Sequence, residues 1–506
     1  MATQASQTEQ VEIATALSCS NGEAIALPAL APVSAATFRR TLVEACSEGA
    51  RLSALCVLPG DPRSLLAVLT RDARGELGLL RTPWPDKDQL PSLTPELPQA
   101  QAFEREVTEQ HGLTFTGHPW AKPLRRHADL ESTPTSADPH PFYSVEGTGL
   151  HEVAVGPVHA GIIEPGHFRF QCQGETVLHL EIQLGYQHRG AEALMLTSVP
   201  ARRMVIAETV AGDTSIGHGL AYCMAMEGLA DTRAPSRALG IRAIALELER
   251  LANHVGDMGA LCNDVGYLPG ASWMGRLRGE FLNLSLEICG SRFGRHLLMP
   301  GGVRFDLPED KAKFLRRLDV AAAEVGRVVA LMLGTASVLS RFEGTGVVTR
   351  DIAEQLGLVG PAARASGCDR DVRRDHPFAS YRRAPIQVAT AATGDVLARA
   401  QIRAHEIEQS INFVRTQVPA LAASALMTPL RALRPQHLTV ALTEGWRGEI
   451  VHVAATDSGG KLCAYKIVDP SFHNWMGLAM ALRGNQISDF PLNNKSFNLS
   501  YAGHDL

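Results

Sequence analysis

Three groups of residues in this chain have the types and spacing needed to move protons. Arg189 and Glu192 stand three apart, so on a helical turn they share a face. They can pair with each other, or Glu192 can pass protons into a cavity; spacing leaves both readings open. Glu247, Arg250 and His254 follow one another at intervals of three and four, which sets them on one helical face as an internal polar network. His159 can give a proton to a bound ligand or close its hydrogen bonds within its own turn. The nine cysteines, at 19, 46, 56, 172, 223, 262, 289, 368 and 463, include no Cys-x-x-Cys pair. Iron–sulfur and zinc sites usually hold two thiolates close together on a turn, because short spacing pre-orients them at little entropic cost. Each cysteine here reads instead as a small buried apolar residue in a reducing compartment.

Such groups need a folded body to hold them. A chain of 506 residues is too long for one ordinary core, and two to four domains are expected. With 45% hydrophobic and 20% charged residues it has the composition of a globular protein. The net charge of −5 provides no basic field for nucleic acid, so that partner class is excluded. The longest apolar region, residues 325–339, is interrupted by Arg327 and falls short of the roughly 20 residues that cross a bilayer; it reads as a core helix. A polar, acidic N-terminus without an export signal predicts residence in the cytoplasm. No Gly-rich dinucleotide loop is visible.

Periodicity then sets the order of elements. Residues 1–30 read as a loosely held leader. A small α/β unit follows over 31–121, with a helix at 37–50 and strands at 51–58 and 64–70. Residues 122–149, rich in Pro, His, Ser and Thr, read as a linker. The second unit, 150–506, opens with strands at 168–172 and 177–184 around a turn at Gly174. It then becomes helical: Ile244, Leu248, Leu251, Val255 and Met258 form one apolar stripe, and similar stripes run near 281–293, 311–339 and 396–414. The fold class is therefore α+β, a small α/β domain followed by a mainly helical bundle with small antiparallel sheets.

Two stretches resemble a known pair of proteins joined end to end. Residues 103–119, FEREVTEQHGLTFTGHP, are similar to the closing signature of the 30 kDa subunit of complex I and its hydrogenase counterpart. Across 150–506 the chain resembles the 49 kDa subunit of complex I and the large subunit of group 4 [NiFe] hydrogenases, the formate hydrogenlyase and hydrogenase-4 type. The likeness is carried by GPVH at 156–159 with EPGHFR at 164–169, LGYQHRGAE at 184–192, ELERL at 247–251 with His254, Gly360-Pro361, Arg364 to Gly367, Asp371 to Arg374, Gly394-Asp395 and Arg447-Gly448-Glu449. The resemblance implies that 156–169 is a hairpin entering the active-site cavity and that Glu192 serves proton transfer. His218, at the place of the histidine that follows the family's early cysteine motif, joins His159, Arg189 and Glu192 as a candidate cavity or proton-transfer residue.

The same resemblance shows what this chain has lost. In the family, two pairs of thiolates grip nickel and iron, for which soft sulfur donors are needed. Here the early pair falls on Ala211 and Thr214 and the late pair on Ser500 and Gly503. Alanine and glycine offer no donor, and neutral hydroxyls bind soft metals poorly. Complex I shares this loss and uses the vacated cavity for quinone, with a tyrosine at the place that Gly212 holds here; Tyr222 and Tyr501 are the alternatives in this chain. No cofactor is expected on the chain alone, and quinone is expected at the interface with a small [4Fe-4S] partner subunit. The implied complex carries electrons from NAD(P)H or ferredoxin to a quinone-type acceptor and moves ions. Its other partners are integral membrane antiporter-like and quinone-module subunits. It sits peripherally on the cytoplasmic side of the plasma membrane, and the isolated chain is inactive. The rival readings are a non-catalytic scaffold and an active [NiFe] hydrogenase.

Overall fold

A computed structural model describes residues 15–125, 142–159 and 163–506. Three successive apolar runs near the N-terminus form an antiparallel meander, Arg51–Leu58, Ser64–Arg71 and Glu76–Pro83, which Leu17–Cys19 extends to four strands. Nearly every residue of Arg51–Leu58 and Ser64–Arg71 is buried, and the helix Ala35–Ser47 lies against the sheet through Phe38, Leu42 and Ala45. Ser34 starts that helix by accepting the Thr37 amide at 3.1 Å.

A second four-stranded sheet has the order Leu462–Val468, Gly448–Thr456, His437–Gly445 and Ala24–Ala26. Residues 15–30, read from the sequence as part of a loose leader, are therefore held by strand pairing into both sheets, while residues 1–14 lie outside the described residues. Most of the linker reading, 126–141, also lies outside them. A third sheet, Leu150–Val155, His167–Gln173 and Thr176–Gln183, opens the second unit.

The helical body is centred on Ser236–Asp264, whose predicted stripe of Ile244, Leu248, Leu251, Val255 and Met258 is wholly buried. Packed around it are Ser215–Leu229, Leu268–Cys289, Lys311–Leu333 and Val396–Gln417. The fold is the α+β architecture the patterning predicts. Among the described residues no single helix is long and apolar enough to cross a membrane. The bent pair Lys311–Leu333 and Ala336–Phe342, turned by 74°, passes that test only when taken together. Phe314, Leu318, Ala321, Val325, Val328 and Met332 bury one stripe of the first helix in the bundle.

Charge as well as apolar surface fills the interior. Glu247, Arg250 and His254 do form an internal network: His254 and Arg250 reach Glu406 at 2.8 and 3.2 Å, and Arg373 reaches Glu247 at 3.1 Å. Buried ion pairs also join the N-terminal sheet and the helix Gln101–His111 to the rest of the body, Arg51 to Glu449 at 2.7 Å and Lys466 to Glu106 at 2.7 Å.

Candidate functional site

The helix Ser215–Leu229 begins just after Ala211 and Thr214, and Thr214 at its N-cap makes no side-chain capping bond. Glu249, from the central helix, does that work: its two oxygens accept the amides of Ile216 at 2.7 Å and Gly217 at 3.0 Å. One turn into the helix, the buried His218 side chain points across to Asp469, with Nε2 at 2.9 Å from Oδ2. Asp469 caps the helix Pro470–Ala481, its Oδ1 accepting the Ser471 amide at 2.7 Å. The Ser471 hydroxyl accepts the Ser500 amide at 2.8 Å, and the Ser500 hydroxyl accepts the Gly503 amide at 2.9 Å. Arg447 makes a second link between the early and late segments: its guanidinium donates to Asp213 at 2.6 and 2.8 Å and to the Asn498 carbonyl.

The fold therefore links the early and late segments that the resemblance assigns to thiolates, and at Gly503 the space for a side chain is filled. A Cβ on Gly503 would lie 2.5 to 2.8 Å from the Asp469 carboxylate, so Asp469 occupies the volume a side chain at 503 would need. The Thr214 hydroxyl is committed to Asp213 at 3.0 Å. Two positions without donors and two engaged hydroxyls do not fit a [NiFe] cluster. Among the described residues no group of three or more His, Cys, Asp or Glu is arranged to hold a metal ion. Gly503→Ala is expected to destabilise the protein by about 1–3 kcal/mol through overpacking against Asp469, read as a lowered denaturation midpoint; an unchanged midpoint would mean that Asp469 moves aside freely.

The four predicted site residues separate into two places. Arg189 donates to the carbonyls of Thr209 at 2.7 Å and Val210 at 2.9 Å and so fixes the segment leading into Ala211. It does not pair with Glu192, as the spacing suggested it can. Gly190 between them takes φ +63°, and the helix Ala191–Thr197 starts only after it, so Arg189 is not on that helix. His218 lies at the vacated position. His159 bonds the Gly166 carbonyl through Nε2 at 3.0 Å and sets its ring edge-on to Phe168. Its loop lies beside the late segment: Glu164 accepts the Tyr501 amide at 3.1 Å, and Gly166 has no Cβ where the Tyr501 ring lies, only 2.4 Å from where one would stand. Burial pushes the Glu164 carboxyl upward.

Glu192 stands apart, accepting from Lys466 Nζ and the Ile467 amide, each at 2.9 Å. Lys466 also binds Glu106, and the three line a cleft of about 480 Å³ with Leu55, Val107 and His188. Of the alternative tyrosines, Tyr501 adjoins Ser500 and packs on Trp475 at 4.9 Å, whereas Tyr222 is buried near Tyr465. A side chain at Gly212 would meet nothing within 4 Å. Asp213, Arg447, His452, Tyr465 and Asp469 were not singled out as site residues from sequence. Asp213, an acid set between two lost ligand positions, was the one local signal that could have been read.

Comparison with known proteins agrees with this geometry. Residues 65–141 match the family described as the 30 Kd subunit of respiratory-chain NADH dehydrogenase, and residues 264–437 match its 49 Kd subunit. Formate hydrogenlyase subunit 5 of Escherichia coli is 32% identical over 83% of this chain and 77% of its own length. The chain belongs to this hydrogenase and complex I subunit family. Within it, hydrogenase-4 component G of E. coli is 30% identical over 83% of the chain and 76% of its length, and NADH-quinone oxidoreductase subunit 4 of Thermus thermophilus is 29% identical over 72% and 96%.

Proposed function

We propose that this chain is the hydrogenase-like subunit of a membrane-associated, ion-translocating oxidoreductase complex, working without NiFe chemistry. It docks a small [4Fe-4S] subunit and, through antiporter-like and quinone-module subunits, sits on the cytoplasmic face of the membrane. A quinone or similar acceptor binds between the His159 loop and the late segment. Glu192 handles protons from the cleft side. The observation that supports this reading is the seating of residues 164–166: Glu164 is anchored on the Tyr501 amide, and Gly166 lies against the Tyr501 ring while its carbonyl bonds His159, so a histidine and an aromatic ring meet at Gly166. A bound ring is held by such groups, and a carbonyl on it accepts a proton from them.

The test uses the intact complex. His159→Ala is expected to lower turnover of a short-chain quinone analogue roughly 100-fold, and Glu192→Gln to lower kcat with little change in binding. A second reading, a scaffold that couples its neighbours without a redox ligand, draws on the ion pairs that fill the vacated position. It predicts native turnover in both variants.

A further inference from the structure

A single file of hydrogen bonds runs from the vacated ligand position into the second sheet. Asp469 Oδ2 meets His218 Nε2 at 2.9 Å, His218 Nδ1 meets His452 Nε2 at 3.1 Å, and His452 Nδ1 meets the Tyr465 hydroxyl at 2.8 Å. The strand register makes the outer link: His452 is opposite Ile467 and Ala454 is opposite Tyr465, so His452 and Tyr465 are diagonal neighbours on one face of the sheet. All four residues are buried. Arg447 and Asp213 stand near the inner end, and Tyr222, Cys223 and Arg203 near the outer end.

With both imidazoles neutral, the direction of every hydrogen bond follows by elimination. Burial would raise the Asp469 carboxyl, but its bond to His218 and the charge of Arg447 bring it below the usual range, so it is ionised and can only accept. His218 must then carry its proton on Nε2, which leaves Nδ1 as an acceptor for a neutral ring. His452 must therefore donate from Nε2 and accept at Nδ1, and the Tyr465 hydroxyl donates to it. Burial holds His452 neutral. Every lone pair on the path faces outward and every proton faces Asp469.

We propose that Tyr465, His452, His218 and Asp469 form a one-way proton relay that serves the acceptor beside the late segment, an inference that rests on the function proposed above. In one passage a proton from water enters at the Tyr465 oxygen while Tyr465 passes its own to His452 Nδ1. His452 passes the Nε2 proton to His218 Nδ1, and His218 passes its Nε2 proton to Asp469. One proton has entered and one now sits on the carboxyl, which yields it to the reduced acceptor. Each ring is left with its proton on the other nitrogen and must reorient before the next passage. Asp469 lies against Gly503, which puts the relay's inner end on the late segment beside which the acceptor is proposed to bind.

Tyr465→Phe keeps the ring and removes the outer link, and His452→Gln keeps a hydrogen-bonding side chain that cannot change tautomer. Both are assayed in the intact complex with a short-chain quinone analogue and NADH or reduced ferredoxin as donor. Each variant is expected to lower kcat roughly 100-fold at unchanged KM, and the double variant is expected to be no slower than either, because one path is already cut. Native kcat in both single variants overturns the relay, as does an additive loss with a raised KM, the mark of a merely structural network. If the unaltered complex neither binds nor turns over the analogue, the function reading fails and the relay fails with it.

Discussion

Arg364→Met is expected to leave little or no folded protein. The guanidinium is 1% exposed and holds three carboxylates at once, Glu406 at 2.8 Å, Glu444 at 2.8 Å and Asp371 at 3.3 Å, and it also donates to the Arg370 carbonyl. Methionine approximates its volume but leaves those acids facing one another with only Arg250, Arg373 and His254 between them. Breaking a buried pair by removing one partner costs about 3–5 kcal/mol, and whole-protein stability is only about 5–15 kcal/mol. Three partners lost together take the protein to the edge of that range. Soluble yield and the denaturant midpoint measure it. The comparison is Arg350→Met, whose side chain is 65% exposed and pairs with the exposed Glu354; little or no loss of stability is expected there. Equal stability of the two variants would show that the network fills space without holding the body together.

What the sequence revealed was whatever depends on near neighbours. The stripe from Ile244 to Met258 and the face shared by Glu247, Arg250 and His254 follow from the pitch of a helix, and both are seen. The Arg189–Glu192 spacing failed because one left-handed glycine at 190 cuts the helix between them, and a Gly in a sequence does not announce its φ. The partners that matter were out of reach for a different reason. Glu192 finds Lys466 274 positions away, and His218 finds Asp469 251 positions away. Such pairings are set by which sheet packs on which helix, and no periodicity encodes that. The ligand positions themselves rest on the resemblance, whereas the Asp469 carboxylate against Gly503 and the Asp213–Arg447 pair become apparent only in the fold.

Acid should unfold the protein between about pH 4.5 and pH 2. Against the upward pull of burial, Lys466 and Arg125 hold Glu106 down at about 2, from an ordinary value of 4.5. Burial is likewise outweighed at Glu247 by Arg373 and Arg250, at Asp371 by Arg373 and Arg364, at Glu406 by Arg364 and His254, and at Glu449 by Arg51; all four carboxyls lie below their usual range. For such a group the unfolded chain binds more protons within the window. The stabilisation is complete above the unfolded value and is lost as pH falls through the folded one. The gap between 4.5 and about 2 at Glu106 alone corresponds to about 3 kcal/mol, and several groups titrate together. Because these pairs are buried, added salt is expected to shift the transition little. Thermal melting followed across the window is the measurement. A midpoint that stays flat to pH 2 would mean that these carboxylates are already protonated in the folded protein, and the network would then be one of neutral hydrogen bonds.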